Sequence, residues 1–185
     1  MHLTRMIAGA AVPAVLLAAA AGCDAGSVNT EPEKGGSPTG EATQSPAKAA
    51  RVGDTVRIED DSSEVKLSVT LTKVVDPAEP SEFETAPSGK RLVGAQFKVR
   101  NDGDKEYQDA PSNGARLIDT TGQAYEAGIT AAANCEDFPN GEVRLTRGET
   151  QKGCVTFEVA KGASVERIRF GASSGLGSAA EWKAS

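Results

Sequence analysis

RLVGAQFKVRN, Arg91 to Asn101, is the stretch whose reading decides the fold. Val93, Ala95, Phe97 and Val99 point one way from an extended chain, and Gly94, Gln96, Lys98 and Arg100 point the other. A period of two with one apolar phase is the pattern of a strand with one face in a core and one face in water. Asn101-Asp102-Gly103-Asp104 follows at once. Asn, Asp and Gly tolerate the positive φ values of tight turns, so the chain is expected to double back there as an antiparallel neighbour.

The same pattern continues in both directions. Upstream, Thr55 to Glu59 sets Val56 and Ile58 inward, and Glu64 to Val75 alternates Val65, Leu67, Val69 and Leu71 with polar residues. A loop over Asp76 to Gly89 carries Pro77, Pro80 and Pro87, which exclude a central strand. Downstream come Glu106 to Asp109, Ala115 to Asp119 and Gln123 to Glu126, with Leu117 and Tyr125 as core candidates. An irregular segment, Ala127 to Glu142, precedes Val143 to Thr146. Gly153 to Ala160 then places Val155, Phe157 and Val159 on the core face and Cys154 off it. Ser164 to Gly171 sets Ile168 and Phe170 inward, and Trp182 is expected to cap the core from a last strand. Short strands divided by Gly-rich turns, with no helical period of useful length, predict an all-β antiparallel sandwich over residues 51–185; a closed barrel is the second choice.

The N-terminus has a different grammar. Arg5, an apolar run from Met6 to Ala21 broken by Pro13, and small residues before Cys23 have the anatomy of a signal peptide. The run of about 16 residues is shorter than the roughly 20 needed to span a bilayer. Ala20-Ala21-Gly22-Cys23 resembles a bacterial lipobox, with Ala20 where leucine is usual. The expectation is a lipoprotein signal peptide over 1–22, lipid on Cys23 and a disordered tether over 23–50 rich in Gly, Pro, Ser and Thr. About 27 flexible residues span about 30 Å, so the domain stays close to its membrane.

Lipid on Cys23 explains the odd number of cysteines. It leaves Cys135 and Cys154 to pair in an oxidising compartment. Their loop of about 20 residues would stabilise the fold by roughly 3 kcal/mol in the chain-entropy account. The formal charge is −6, and losing Arg5 with the leader makes the mature chain more acidic still. A surface of that sign is expected to repel nucleic acid and anionic lipid headgroups. His2, the single histidine, lies in the leader. A mature chain without it has no Ser-His-Asp or Cys-His nucleophile and no histidine-ligated metal.

Several short motifs in order resemble a known family. They are Gly53-Asp54-Thr55-Val56, Gly89-Lys90-Arg91-Leu92-Val93, Val99-Arg100-Asn101-Asp102-Gly103-Asp104-Lys105, Leu117-Ile118-Asp119 with Gly122 and Tyr125, Gly148-Glu149, and Gly153-Cys154-Val155-Thr156-Phe157-Glu158-Val159. Together they resemble the bacterial secreted immunoglobulin-like domains of unknown function 4352, telokin-like and related to mycobacterial immunoprotective extracellular antigens. Ala160, where the family often has proline, and the cysteine pair depart from it. The resemblance implies an immunoglobulin-like fold outside the cytoplasm, often with a lipid anchor, and supplies no catalytic residues.

The functional expectation is a lipid-anchored, non-catalytic interaction module. It would be bound to the membrane through Cys23 and monomeric as a domain, its partner an envelope protein or polymer, with no cofactor and no metal. Glu79, Glu82, Phe83 and Glu84 form a candidate interaction loop. Phe83 itself is expected to pack back over an open end of the sandwich, the alternative being a recognition anchor. A small-ligand or divalent-cation sensor is the second class, and a carboxylate-based hydrolase the third. The turn Asn101 to Asp104 lacks the spacing of a calcium loop. Ser63-Glu64-Val65-Lys66 spells the S-x-x-K of serine enzymes that react with penicillin, but in a strand its Ser and Lys point to opposite faces.

Overall fold

The computed structural model describes residues 50–60 and 64–185. The expected signal peptide, Cys23 and the tether as far as residue 49 lie outside the described residues, as does Ser63. In chain order the strands are β1 (Ala50–Arg51), β2 (Thr55–Asp60), β3 (Val65–Ala78), β4 (Lys90–Asn101), β5 (Tyr107–Asp109), β6 (Arg116–Asp119), β7 (Ala124–Glu126), β8 (Val143–Leu145), β9 (Thr150–Ala160), β10 (Val165–Gly171) and β11 (Ala179–Lys183). One turn of helix, α1 (Pro111–Gly114), separates β5 from β6.

Strands β2-β3-β4-β9 make a four-stranded antiparallel sheet, β1-β11-β10-β6-β7 make a five-stranded sheet, and β5 pairs with β8. The alternation in β4 is what permits this. Val93, Ala95, Phe97 and Val99 are fully buried, and their partners across β3 and β9 include Val99 opposite Val69 and Val93 opposite Phe157. Phe97 meets Phe170 of the other sheet edge to face at 5.1 Å and Trp182 at 6.0 Å, which locks the two layers together. Trp182 has no exposed surface, and its indole N–H donates to the Asp54 carbonyl at 3.0 Å, so the last strand closes the core as its sequence suggested.

Several element ends differ from the expectation. Ala50 is not tether but strand, paired parallel to Trp182 in an otherwise antiparallel sandwich. Two residues give no period to read. Strand β3 runs to Ala78 rather than ending at Val75, despite Pro77. Its pairing with β2 stops at Thr70 and its register with β4 shifts between Val75 and Ala78, so Pro77 sits at a bulge on a free edge, where a missing N–H costs no ladder bond. The α1 turn has proline at its start and bends the chain between the β5–β8 pair and the five-stranded sheet.

Candidate functional site

The outer face of the four-stranded sheet is covered over only part of its length. There, Val75, Ala78, Leu92 and Cys154 form a second apolar cluster with Ala132 and Cys135 of the irregular segment. Cys135 and Cys154 are joined by a disulfide, with Cα atoms 5.6 Å apart. A Cβ at Gly94 would lie 2.7 Å from the Cys135 sulfur, so the bridge rests directly on β4 where the chain has no side chain. The 127–142 segment also binds the free edge of β9. Gly128 N–H donates to the Thr156 carbonyl, and Cys154 N–H to the Glu136 carbonyl, each at 2.8 Å. An exposed strand edge is thereby blunted.

The loop after β3 is fastened to the same segment. Pro80 bridges to Ala132, Ser81 N–H donates to the Ala131 carbonyl at 3.0 Å, and Ala133 N–H donates to the Glu79 carbonyl at 2.8 Å. Asn134 Oδ1 accepts from the Glu79 amide at 3.1 Å, and the Glu84 carboxylate accepts from the Ala131 amide. Glu79 and Glu84 are thus joined to this neighbour, while Glu82 is exposed. Phe83 does not pack over the sandwich as expected. It is 93 % exposed on a turn closed by Glu84 N–H to the Ser81 carbonyl, which aims the ring outward.

Ile129 is a residue that sequence reasoning missed, as is Leu176, 93 % exposed after β10. Ile129 is 96 % exposed, between Gly128, held to Thr156, and Thr130, whose hydroxyl donates to Glu158 at 2.9 Å. An isolated isoleucine in an irregular segment carries no periodic signal to mark it as outward. Two loops fastened side by side therefore each present one large apolar side chain to solvent.

The remaining polar groups hold structure together. Asp109 is buried and accepts from the Ser174 amide and hydroxyl, the Ala110 amide and the Tyr107 hydroxyl. Burial, then the Asp109 charge, pushes the Tyr107 hydroxyl well above the usual tyrosine range. Asp119 accepts from the Thr121 hydroxyl and amide, the Gln123 amide and the Tyr125 hydroxyl; the Thr121 hydroxyl foremost holds its carboxyl below the usual range. Asp137, although exposed as a residue, goes the other way, its carboxyl raised by partial desolvation and then by the charge of Glu84. Asn101 donates to the carbonyls of Lys105 and Leu145 and accepts from Gly103, so it builds the turn after β4. Within that turn Asp102 is engaged by Ser68 and Arg100, and Asp104 by Arg147. Among the described residues no three His, Cys, Asp or Glu side chains group as metal ligands. Lys66 of the S-x-x-K string lies on β3.

Comparison with known proteins places this disulfide-braced sandwich in a family. Residues 51–180 match the domain of unknown function DUF4352, and the chain belongs to that family. Among solved structures it is similar to MPT63, a secreted protein of Mycobacterium tuberculosis, with TM-score 0.52 and 17 % identity over 73 % of this chain and 95 % of that one. It is also similar to ycdA, a candidate lipoprotein of Bacillus subtilis, with TM-score 0.52 and 13 % identity over 72 % of this chain and 38 % of that one. At these identities the likeness is one of fold. No curated protein matches the chain.

Proposed function

We propose that the protein is a lipid-anchored extracytoplasmic module that binds another component of the cell envelope without catalysing a reaction. The observation that carries this reading is the pair of braced loops presenting Phe83 and Ile129, 93 % and 96 % exposed. Apolar side chains on fixed backbone can bind without paying much ordering entropy, and such aromatic and aliphatic anchors dominate the energetics of many interfaces. The location rests on Leu17 to Cys23 and on a disulfide that suits an oxidising compartment. The secreted and lipoprotein character of the two similar structures agrees with it.

Cross-linking and affinity capture from envelope extracts, with the wild-type chain and with Phe83→Ala/Ile129→Ala, tests the binding surface. Both side chains are exposed, so folding is expected to be unchanged. A specific partner held by the wild type and lost or weakened at least about tenfold by the double variant is the expected result. A specific partner held equally by both sinks the proposed surface. Mass spectrometry of the mature protein tests the anchor separately, an acylated Cys23 being the expected N-terminus.

A further inference from the structure

The half of the four-stranded sheet's outer face that the braced loops leave bare is basic. Outward positions follow the pleat, so Arg57, Lys66, Lys98, Arg100 and Lys152 project from β2, β3, β4 and β9 onto one surface, and all are exposed. Lys98 stands directly opposite Lys152 in the β4–β9 register, and Arg57 and Arg100 flank Ser68 from either side. Like charges directly opposite one another destabilise a sheet pair. Arg100 bonds Asp102; Arg57, Lys66, Lys98 and Lys152 make no ion pair among the described residues. Glu59, opposite Lys66, and Asp102 are carboxylates at this end, and Glu64 and Asp104 beside Lys66 are paired with Lys105 and Arg147. Arg57, Lys66, Ser68 and Arg100 surround a shallow depression of about 200 Å³, below the roughly 300–1,000 Å³ of small-molecule sites but roomy enough for a phosphate group.

We infer that this face docks onto the anionic phospholipid headgroups of the membrane to which the chain is tethered. The inference rests on the proposed lipid on Cys23. Two observations favour a membrane over a free polyanion. Arg57, the first basic residue of the face, follows β1 by only six residues, so little chain separates this face from the point where the segment from Cys23 enters the sandwich. A lipid on Cys23 would leave only about 27 residues of chain between the headgroups and the domain, and so a high effective concentration. Acyl anchoring and a basic patch also act together, each basic residue adding to the attraction for an anionic surface within a Debye length. The overall charge of −6 describes the whole chain, whereas this face sets Arg57, Lys66, Lys98, Arg100 and Lys152 against Glu59 and Asp102, and exposed charges act on a surface chiefly within a Debye length. Docking by this face would hold the domain in one orientation instead of letting it tumble on its tether.

The test is co-sedimentation of the mature chain from residue 23, made acyl-free with Cys23→Ser, on vesicles of phosphatidylglycerol or of phosphatidylcholine. The expected result is salt-sensitive binding to phosphatidylglycerol alone, weakened at least about tenfold by Lys98→Glu/Lys152→Glu. Lys161→Glu/Lys183→Glu makes the same change of net charge away from this face and should leave binding within about twofold. Thermal melts of both variants are compared first; if the Lys98/Lys152 variant does not fold, Arg57→Glu/Lys66→Glu takes its place. No binding to phosphatidylglycerol, equal weakening by the two double variants, or binding of soluble poly(glycerol phosphate) without vesicle binding would each overturn the inference. Because the protein carries no acyl group in this assay, a failure here is separate from a failure to find acylated Cys23.

Discussion

At Gly94 a missing side chain decides what can sit on a sheet. Gly94 lies in the middle of the strand with the clearest alternation, on the phase that reads as solvent-facing, and the sequence offers no reason for a glycine there. The reason is the Cys135–Cys154 bridge, whose three nearest atoms would stand 2.7 to 3.1 Å from an added Cβ. Gly94→Ala must push the bridge off the sheet or bend β4, an overpacking error costing about 1–3 kcal/mol. Urea unfolding of Gly94→Ala should show that loss in the oxidised protein. In a Cys135→Ala/Cys154→Ala background the loss should shrink to less than half. An undiminished loss would mean that the strand itself, and not the bridge, requires the glycine. Phe83 shows the converse limit: a lone aromatic in a loop reads as packed, and only its Ser81–Glu84 turn shows that it is not.

Among the elements, legibility followed periodicity. β4 alternates Val93, Ala95, Phe97 and Val99 on the core face, β9 Val155, Phe157 and Val159, and β10 Ile168 and Phe170, and each was read to within a few residues. β1 has two residues and owes its place to Trp182 rather than to its own sequence. The end of β3 was hidden by Pro77, since a bulge on a free edge is a property of the pairing partner and not of the strand. Among these elements β11 carries the largest test. It brings Trp182 and Ala180 into the core, pairs β10 on one side and β1 on the other, and receives no help from a disulfide. Trp182→Ala removes the indole from its contact with Phe97 and its bond to the Asp54 carbonyl, for an expected loss of about 3–5 kcal/mol. A chain ending at residue 178 should lose at least as much and also free Ala50 from its pairing. Equilibrium unfolding with hydrogen exchange at residues 50–51 measures both, and unchanged exchange there would remove β11 from the account of how the chain enters the sandwich.

For the whole molecule, composition gives the sign of the net charge but not where the charges lie. The chain is acidic overall, and the pleat sorts Lys98, Arg100 and Lys152 onto one face. The carboxylates meanwhile divide between those that stabilise the fold as anions and those that resist becoming anions. This division sets the response to acid. Asp119, held below the usual range chiefly by the Thr121 hydroxyl, contributes its full stability above the unfolded carboxylate pKa of about 3.9 and loses it as the pH falls through its lower folded value. Asp137, raised by partial desolvation and by Glu84, has the opposite sign: its ionisation opposes folding at neutral pH, and protonation relieves that opposition. Asp119→Asn should therefore flatten the acid limb of the stability profile, whereas Asp137→Asn should raise stability near pH 7 and converge on the wild type as the pH falls. Chemical denaturation of the three proteins at steps between pH 7 and about 3 reads both effects. An acid limb unchanged by Asp119→Asn would show that other carboxylates govern it, and a loss of stability in Asp137→Asn at pH 7 would show that its charge is used by the braced loops rather than tolerated.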